Sequence, residues 1–167
     1  MLISDAIQFL GLPPESKKLD AYLTSVGLKE RPVYREVPVE DITRYEEGFS
    51  LIFSSRTSYE KWWEEPTEPG DLIFSSVQVY SARYGGDFSE YTGPLPAGLT
   101  FDTTPDQAKS MLGEPTTDSP SGPENRTYLW YNRDGYTISV CFLPDNKGVG
   151  FVFVERAKKK PPKKLDW

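Results

Sequence analysis

Two stretches of this sequence repeat one pattern, and the repeat limits the architectures that the chain can adopt. Leu10-Gly11-Leu12-Pro13 ends one segment with helical apolar spacing, and Leu112-Gly113-Glu114-Pro115 ends another. Each is followed by turn-forming residues and then by an acidic residue, a glycine and an aromatic residue that open a strand, at 47–49 and 134–136. Repetition on this scale indicates related structural units. We therefore predict an α+β fold of two tandem modules, each with helices packed on one face of an antiparallel meander.

A segment rich in glycine and proline separates the two repeats. Gly93-Pro94-Leu95-Pro96-Ala97-Gly98 favours a linker, because proline and glycine at this density interrupt helices and strands. We therefore predict a first module over residues 1–92, a linker over 93–98, a second module over 99–157 and a basic flexible tail over 158–167.

The spacing of apolar residues predicts the elements within each module. Residues 56–70, between the second and third strands, are expected to form a long loop, and loops of that length often carry function. Residues 116–125 are expected to form turns. Helices are expected over 5–10, 16–26 and 105–112, and strands over 33–37, 49–53, 72–79, 127–131, 135–142 and 149–154.

Local signals mark the ends of two predicted helices. Thr104, Pro105 and Gln107 have the spacing of a capping box with proline at the first helical position. In each Leu-Gly-x-Pro motif the glycine is expected to adopt the left-handed conformation that ends a helix, because it has no Cβ, and the proline cannot continue the helix. These motifs therefore predict structure and not chemistry.

The composition excludes several kinds of site. With no histidine, the chain cannot build a Ser-His-Asp or Cys-His catalytic site, and it lacks the commonest zinc ligand. Its single cysteine, Cys141, permits no internal disulfide. The first residues lack the pattern of a signal peptide, and no stretch approaches the ~20 apolar residues that span a bilayer. We predict a cytoplasmic protein that is not an enzyme, with no cofactor, no metal and no membrane partner.

The acidic residues are concentrated in one part of the chain. The net charge is −6 although five lysines lie in the tail, and residues 36–71 hold ten acidic against three basic side chains. Such a surface repels nucleic acid and attracts basic proteins, so no nucleic-acid partner is expected. The sequence leaves the role of the tail, 158–167, open: a solubilising end, an arm for nucleic acid or membrane, or a segment that docks on the acidic region.

Aromatic and acidic side chains occur together in the predicted loop 56–70. Aromatic anchors surrounded by carboxylates are typical of an interface with a basic partner. Trp62 and Trp63 cannot both point inward from a strand, so at least one ring is expected at the surface. The alternative is that one ring fills the core and the acids are merely solvated. The predicted partner-binding residues are Tyr59, Glu60, Trp62, Trp63, Glu64, Glu65 and Glu68.

The order of motifs in the second module resembles that of known proteins. Gly98-Leu99-Thr100-Phe101, Leu112-Gly113-Glu114-Pro115 and Tyr128-Leu129-Trp130-Tyr131 follow one another as in the helix-plus-meander modules of β-lactamase inhibitor protein and of the outer-membrane assembly lipoproteins. The full chain, with its Leu95-Pro96-Ala97-Gly98-Leu99 junction, is similar to cytoplasmic immunity proteins of bacterial polymorphic and contact-delivered toxin systems. The resemblance implies binding and neutralising a cognate toxin, with no catalytic residues.

The sequence therefore predicts an immunity protein whose partner is a basic, nuclease-type toxin domain. Nucleases present lysine and arginine around their active sites because they bind phosphates, and an acidic inhibitor suits such a surface. One alternative is a non-catalytic cytoplasmic adaptor. Another is a hydrolase with a carboxylate pair, such as Glu46 or Glu47 with Glu64 or Glu65, although so acidic a chain forms such pairs by chance.

Overall fold

The fold is α+β, as predicted, in a computed structural model that describes residues 1–122 and 124–163. The described helices are α1 (Ile3–Ala6, continued by a 3₁₀ turn over Ile7–Phe9), α2 (Lys17–Ser25), α3 (Arg56–Trp62) and α4 (Pro105–Leu112). The described strands are β1 (Val39–Arg44), β2 (Phe49–Ser55), β3 (Leu72–Tyr80), β4 (Thr117–Pro120), β5 (Arg126–Arg133), β6 (Tyr136–Phe142) and β7 (Val149–Arg156). These seven strands form one antiparallel sheet in the order β1-β2-β3-β7-β6-β5-β4.

The sheet is continuous across the two repeats, because β3 pairs with β7. Val77 lies opposite Val154 and Val79 lies opposite Val152, so these four valines share one face of the sheet. All four belong to the main hydrophobic core. Residues 1–92 and 99–157 therefore contribute to one sheet and one shared core.

Three helices cover the core face of this sheet. Short amphipathic helices such as these gain most of their stability from the apolar stripe that they bury. In the second repeat, Tyr128 and Trp130 of β5 join the same core, and the Trp130 indole donates to the Gly113 carbonyl at 3.0 Å. The helical residues in the core are Ile3 and Ala6 of α1, Leu19 and Leu23 of α2, and Ala108 and Leu112 of α4.

The predicted helix-end signals are confirmed. Gly11 and Gly113 have φ of +92° and +84°, the left-handed region that a residue without Cβ enters at no steric cost. At the start of α4, the Thr104 hydroxyl accepts from the Gln107 amide at 3.3 Å, and the Gln107 side chain accepts from the Thr104 amide at 3.0 Å. This reciprocal pair is the capping box, with Pro105 at the first helical position.

The predicted strand over 33–37 is wrong. No strand is described there; Val33 is 63% exposed, and the first strand begins at Val39. Pro32 and Pro38 bracket the segment, and Glu36 has a φ of +61°, which breaks an extended conformation. Val33 and Val37 therefore stay exposed instead of packing against a neighbouring strand.

Two segments predicted as irregular contain regular structure. The first part of 56–70 is helix α3, which Ser55 caps by accepting from the Ser58 amide at 3.3 Å. The interval 116–125 contains β4, an edge strand that pairs with β5. The cap of α3 is a local signal, whereas β4 depends on its pairing with β5.

Candidate functional site

The predicted site lies on helix α3 and the chain that follows it, which we call the α3 lobe (residues 56–70). Arg56 holds the lobe together: its guanidinium donates to Glu60 Oε1 at 2.9 Å and to the carbonyls of Glu68 at 2.9 Å and Gly70 at 3.1 Å. The chain that returns from α3 is thus tied to the first turn of that helix. The lobe presents a defined surface instead of a mobile loop.

Tyr59 and Trp63 lie inside the lobe, with exposed fractions of 3% and 7%. Their rings stack at 4.9 Å and form a small buried cluster with Ile73 of β3. The Trp63 indole donates to the carbonyl of Arg156, at the end of β7, at 2.7 Å. Because Leu72 and Phe74 on either side of Ile73 point into the main core, Ile73 and the lobe lie on the opposite face of the sheet.

Trp62 points outward, and 56% of it is exposed. The prediction that at least one of the adjacent indoles lies at the surface is confirmed. Tyr59 and Trp63 pack inside the lobe. Of the three aromatic residues predicted to contact a partner, only Trp62 is exposed. Its exposed ring offers a large apolar face with few rotatable bonds, the property that makes tryptophan frequent in binding hot spots.

The predicted carboxylates are in two different environments. Glu64 and Glu65 are exposed and line a groove of about 230 Å³ beside Trp63 and Arg156. Glu60 and Glu68 are partly buried: Glu60 pairs with Arg56, and Glu68 accepts from the Ser16 hydroxyl at 3.2 Å. Glu64 and Glu65 therefore suit long-range attraction of a basic partner, whereas Glu60 and Glu68 hold the lobe in place.

The start of the tail docks on this lobe, which was one of the three possibilities that the sequence left open. The ammonium of Lys158 lies 5.3 Å from the ring centroids of both Trp62 and Trp63. The amide of Lys159 donates to the Trp62 carbonyl at 2.8 Å, and its ammonium donates to the Glu60 carbonyl at 2.9 Å. The predicted tail runs to 167, and its positions 164–167 lie outside the described residues.

Glu155 is a buried carboxylate beneath the docked tail that the sequence analysis missed. It is 8% exposed and lies 3.9 Å from the Lys158 ammonium. Burial raises the pKa of Glu155 to about 7, and the charge of Lys158 opposes this rise. Its cross-strand neighbours are Ser76 and Thr137. Alternation in β7 places Glu155 on the face opposite Val154, but nothing local in the sequence shows that the lobe covers it.

A second surface that the sequence analysis missed is a group of aromatic rings on the same face of the sheet as Glu155. Tyr80 stacks on Phe88 at 3.7 Å, and Tyr84 meets Phe151 edge-on at 5.0 Å. Tyr80 lies opposite Phe151 in the β3–β7 pairing. Half-buried rings of this kind suit protein contacts, because each ring supplies a large area at low entropic cost.

Three further possibilities are a reactive cysteine, a metal site and a membrane helix. Cys141 is buried, and burial raises the pKa of its thiol, which makes it a poor nucleophile. Across residues 1–122 and 124–163, no three cysteine or acidic side chains are arranged to hold a metal ion. In the described part of the chain, no helix has the length and apolar character required to cross a membrane.

Comparisons with known proteins give no functional assignment. No protein-family model and no curated protein sequence matches the chain. Among solved structures, the chain is similar to the crystal structure of a DUF4309 family protein (YjgB) from Bacillus subtilis subsp. subtilis str. 168, at 15% identity, with 93% of each chain covered and a TM-score of 0.47. A likeness at this level carries no inference about activity or partner. The fold and the site define an α+β protein with an acidic lobe that holds lysine side chains.

Proposed function

We propose that this protein is a cytoplasmic, non-catalytic immunity protein that binds and neutralises a basic, nuclease-type toxin domain. The observation that carries the proposal is the exposed indole of Trp62, which has a lysine ammonium 5.3 Å from its ring centroid, and that ammonium lies 3.9 Å from the Glu155 carboxyl. A site that accepts a lysine from its own chain has the chemistry to accept one from a partner.

The lobe divides the work of binding between two kinds of side chain. Glu64 and Glu65 attract a cationic surface over a distance of about one Debye length, ~8–10 Å in physiological salt. Trp62 then supplies short-range contact area and cation–π attraction once the two surfaces meet. A nuclease uses lysines to bind the phosphates of its substrate, and the lobe has the chemistry to bind such lysines. A toxin whose lysines are bound to the lobe could then not bind its nucleic-acid substrate.

Co-expression with the candidate toxin tests the proposal. An immunity gene of this type is expected beside a larger gene with a variable carboxy-terminal domain, and that domain would be produced in a bacterial host with and without this protein. The expected results are arrested growth that the protein reverses and a stable complex that elutes as one species in size-exclusion chromatography. Unreversed arrest, or absence of a complex between purified components, would contradict the proposal.

Replacing Trp62 with alanine is expected to weaken toxin binding about tenfold, because the indole supplies contact area that alanine cannot. Surface plasmon resonance would measure the dissociation constant, and the melting temperature should stay within about 2 °C of the parent because Trp62 is mostly exposed. Tyr34→Ala, another exposed aromatic residue outside the lobe, is the matched control and should leave affinity unchanged. If the two substitutions change the dissociation constant equally, Trp62 is not part of the interface.

The double variant Glu64→Gln/Glu65→Gln is expected to slow association about fivefold at low salt, with little change in dissociation, because these carboxylates act at a distance. Stopped-flow association rates at two ionic strengths would measure the effect, which high salt should abolish. Glu46→Gln/Glu47→Gln removes the same charge from the exposed turn between β1 and β2. If the two double variants slow association equally, the net charge of the protein attracts the partner, and the position of Glu64 and Glu65 in the lobe does not matter.

An adaptor is the second candidate, and the aromatic surface around Tyr80 and Phe151 favours it. That surface and the α3 lobe lie on the same face of the sheet, so one protein could hold two partners there. Two partners bound at once, neither losing activity, would support the adaptor over the immunity protein.

A further inference from the structure

Lys158 occupies a site with the features of a lysine receptor, which we call the lysine cage (Trp62, Trp63 and Glu155). Its ammonium lies 5.3 Å from each ring centroid and 3.9 Å from the Glu155 carboxylate. Ring faces and carboxyl oxygens around one cation attract it, and more strongly on the side away from water: Glu155 is 8% exposed, whereas the Lys158 side chain is 39% exposed. The cage thus has carboxyl oxygens on one side and ring faces on the other, which suit the ammonium and the methylene stem of lysine.

The contacts that flank the cage involve backbone atoms of the tail. The Tyr131 hydroxyl donates to the Lys158 carbonyl at 2.5 Å, and the Lys159 amide donates to the Trp62 carbonyl at 2.8 Å. Any extended segment can offer the same amide and carbonyl, whatever its side chains. Only the cage itself, and the Glu60 carbonyl that accepts from the Lys159 ammonium, select for lysine. The surface therefore fits an extended lysine-rich segment, and the tail is one such segment.

We infer that residues 158–159 are an intramolecular competitor, which fills the lysine cage in the free protein and gives way to a lysine-rich segment of the partner. The identity of that partner rests on the proposed function, whereas the preference of the cage for lysine and its occupation by the tail do not. A tail joined directly to β7 has an effective concentration of at least about a millimolar, so weak or accidental basic ligands are excluded. A partner with further contacts elsewhere can still displace it.

Occupation of the cage by the tail is expected to lower the apparent affinity of any separate lysine-rich peptide for the cage. If the tail fills the cage in about nine molecules of ten, emptying the cage raises the apparent affinity of a competing segment about tenfold. The substitution Lys158→Ser/Lys159→Ser empties it while leaving the chain at full length. Lys160→Ser/Lys163→Ser is the matched control, because it removes the same charge from two exposed tail positions outside the cage.

The test uses a synthetic peptide of residues 157–163, Ala-Lys-Lys-Lys-Pro-Pro-Lys, titrated into each full-length protein. The readout is the shift of the Trp62 and Trp63 indole N–H resonances; the Trp62 signal is assigned by its loss in Trp62→Ala, and the Trp63 signal also reports on variants that lack Trp62. The expected result is that the peptide binds Lys158→Ser/Lys159→Ser at least tenfold more tightly than it binds the parent or the control, and that adding Trp62→Ala abolishes this binding.

Two outcomes would overturn the inference. Equal peptide affinity for the parent, the emptied variant and the control would show that the tail does not occlude the cage. No binding to the emptied variant up to about ten millimolar peptide would show that the cage does not select lysine. Because no toxin is used, success here combined with failure of the growth-reversal experiment would leave the lysine cage in place and remove only the toxin as its partner.

Discussion

Replacing Trp63 with alanine is expected to lower the free energy of unfolding by about 3–5 kcal/mol, the range measured for large aromatic residues removed from protein interiors. The indole is 7% exposed, stacks on Tyr59 and packs on Ile73. Its removal also deprives the Arg156 carbonyl of the hydrogen bond that joins the α3 lobe to the end of β7. Urea denaturation followed by circular dichroism would measure the loss.

Trp62→Ala is the natural control, because it removes the same side chain from the adjacent position. With 56% of the residue exposed, the expected cost is below about 1 kcal/mol. The pair of substitutions therefore separates a structural from a binding tryptophan within one dipeptide. Similar losses from both would mean that Trp62 also packs in the interior, and the proposed interface would lose its anchor.

Replacing Glu155 with glutamine is expected to stabilise the protein at pH 8, by at most about 3 kcal/mol, and to have little effect near pH 4. Burial raises the pKa of Glu155 from 4.5 to about 7, so the folded state favours the protonated carboxyl. Its contribution to stability is therefore complete below pH 4.5 and is lost as the pH rises through 7. Glutamine stays neutral throughout and avoids the cost of a buried carboxylate.

The measurement is the difference in unfolding free energy between Glu155→Gln and the parent at several pH values from 4 to 8. Other acids titrate in the same range, and taking the difference removes their contribution. Glu124→Gln, at an exposed position, should give a difference close to zero at every pH. A flat profile for Glu155→Gln would show that the carboxyl is hydrated in the folded protein and that the tail does not seal it from water.

Local chemistry made parts of the fold predictable. The capping box at Thr104 and the left-handed glycines at 11 and 113 depend on neighbours within a few residues, so the sequence contains the whole signal. The segment 33–37 contains Val33, Tyr34 and Val37, residue types that favour strands, yet whether it becomes one also depends on a neighbouring strand, and that neighbour cannot be identified from the segment itself.

The candidate site was predictable only in outline. The alternation rule indicated that one of two adjacent indoles reaches the surface. It could not say which one, because Trp63 is held inside by Ile73 of β3 and by the Arg156 carbonyl of β7, and both lie outside the lobe. Glu155 was missed for the same reason. Its burial is caused by the α3 lobe and by Lys158, and no spacing rule links those segments before the fold is known.

The pairing of β3 with β7 has a consequence for synthesis in the cell. Val77 and its partner Val154 are far apart along the chain, so one edge of β3 cannot be completed until β7 has left the ribosome. During that interval the nascent chain exposes an apolar strand edge of the kind that recruits other strands. Closing the sheet at its centre last is therefore expected to slow maturation, because the β3–β7 contacts join segments far apart in the chain.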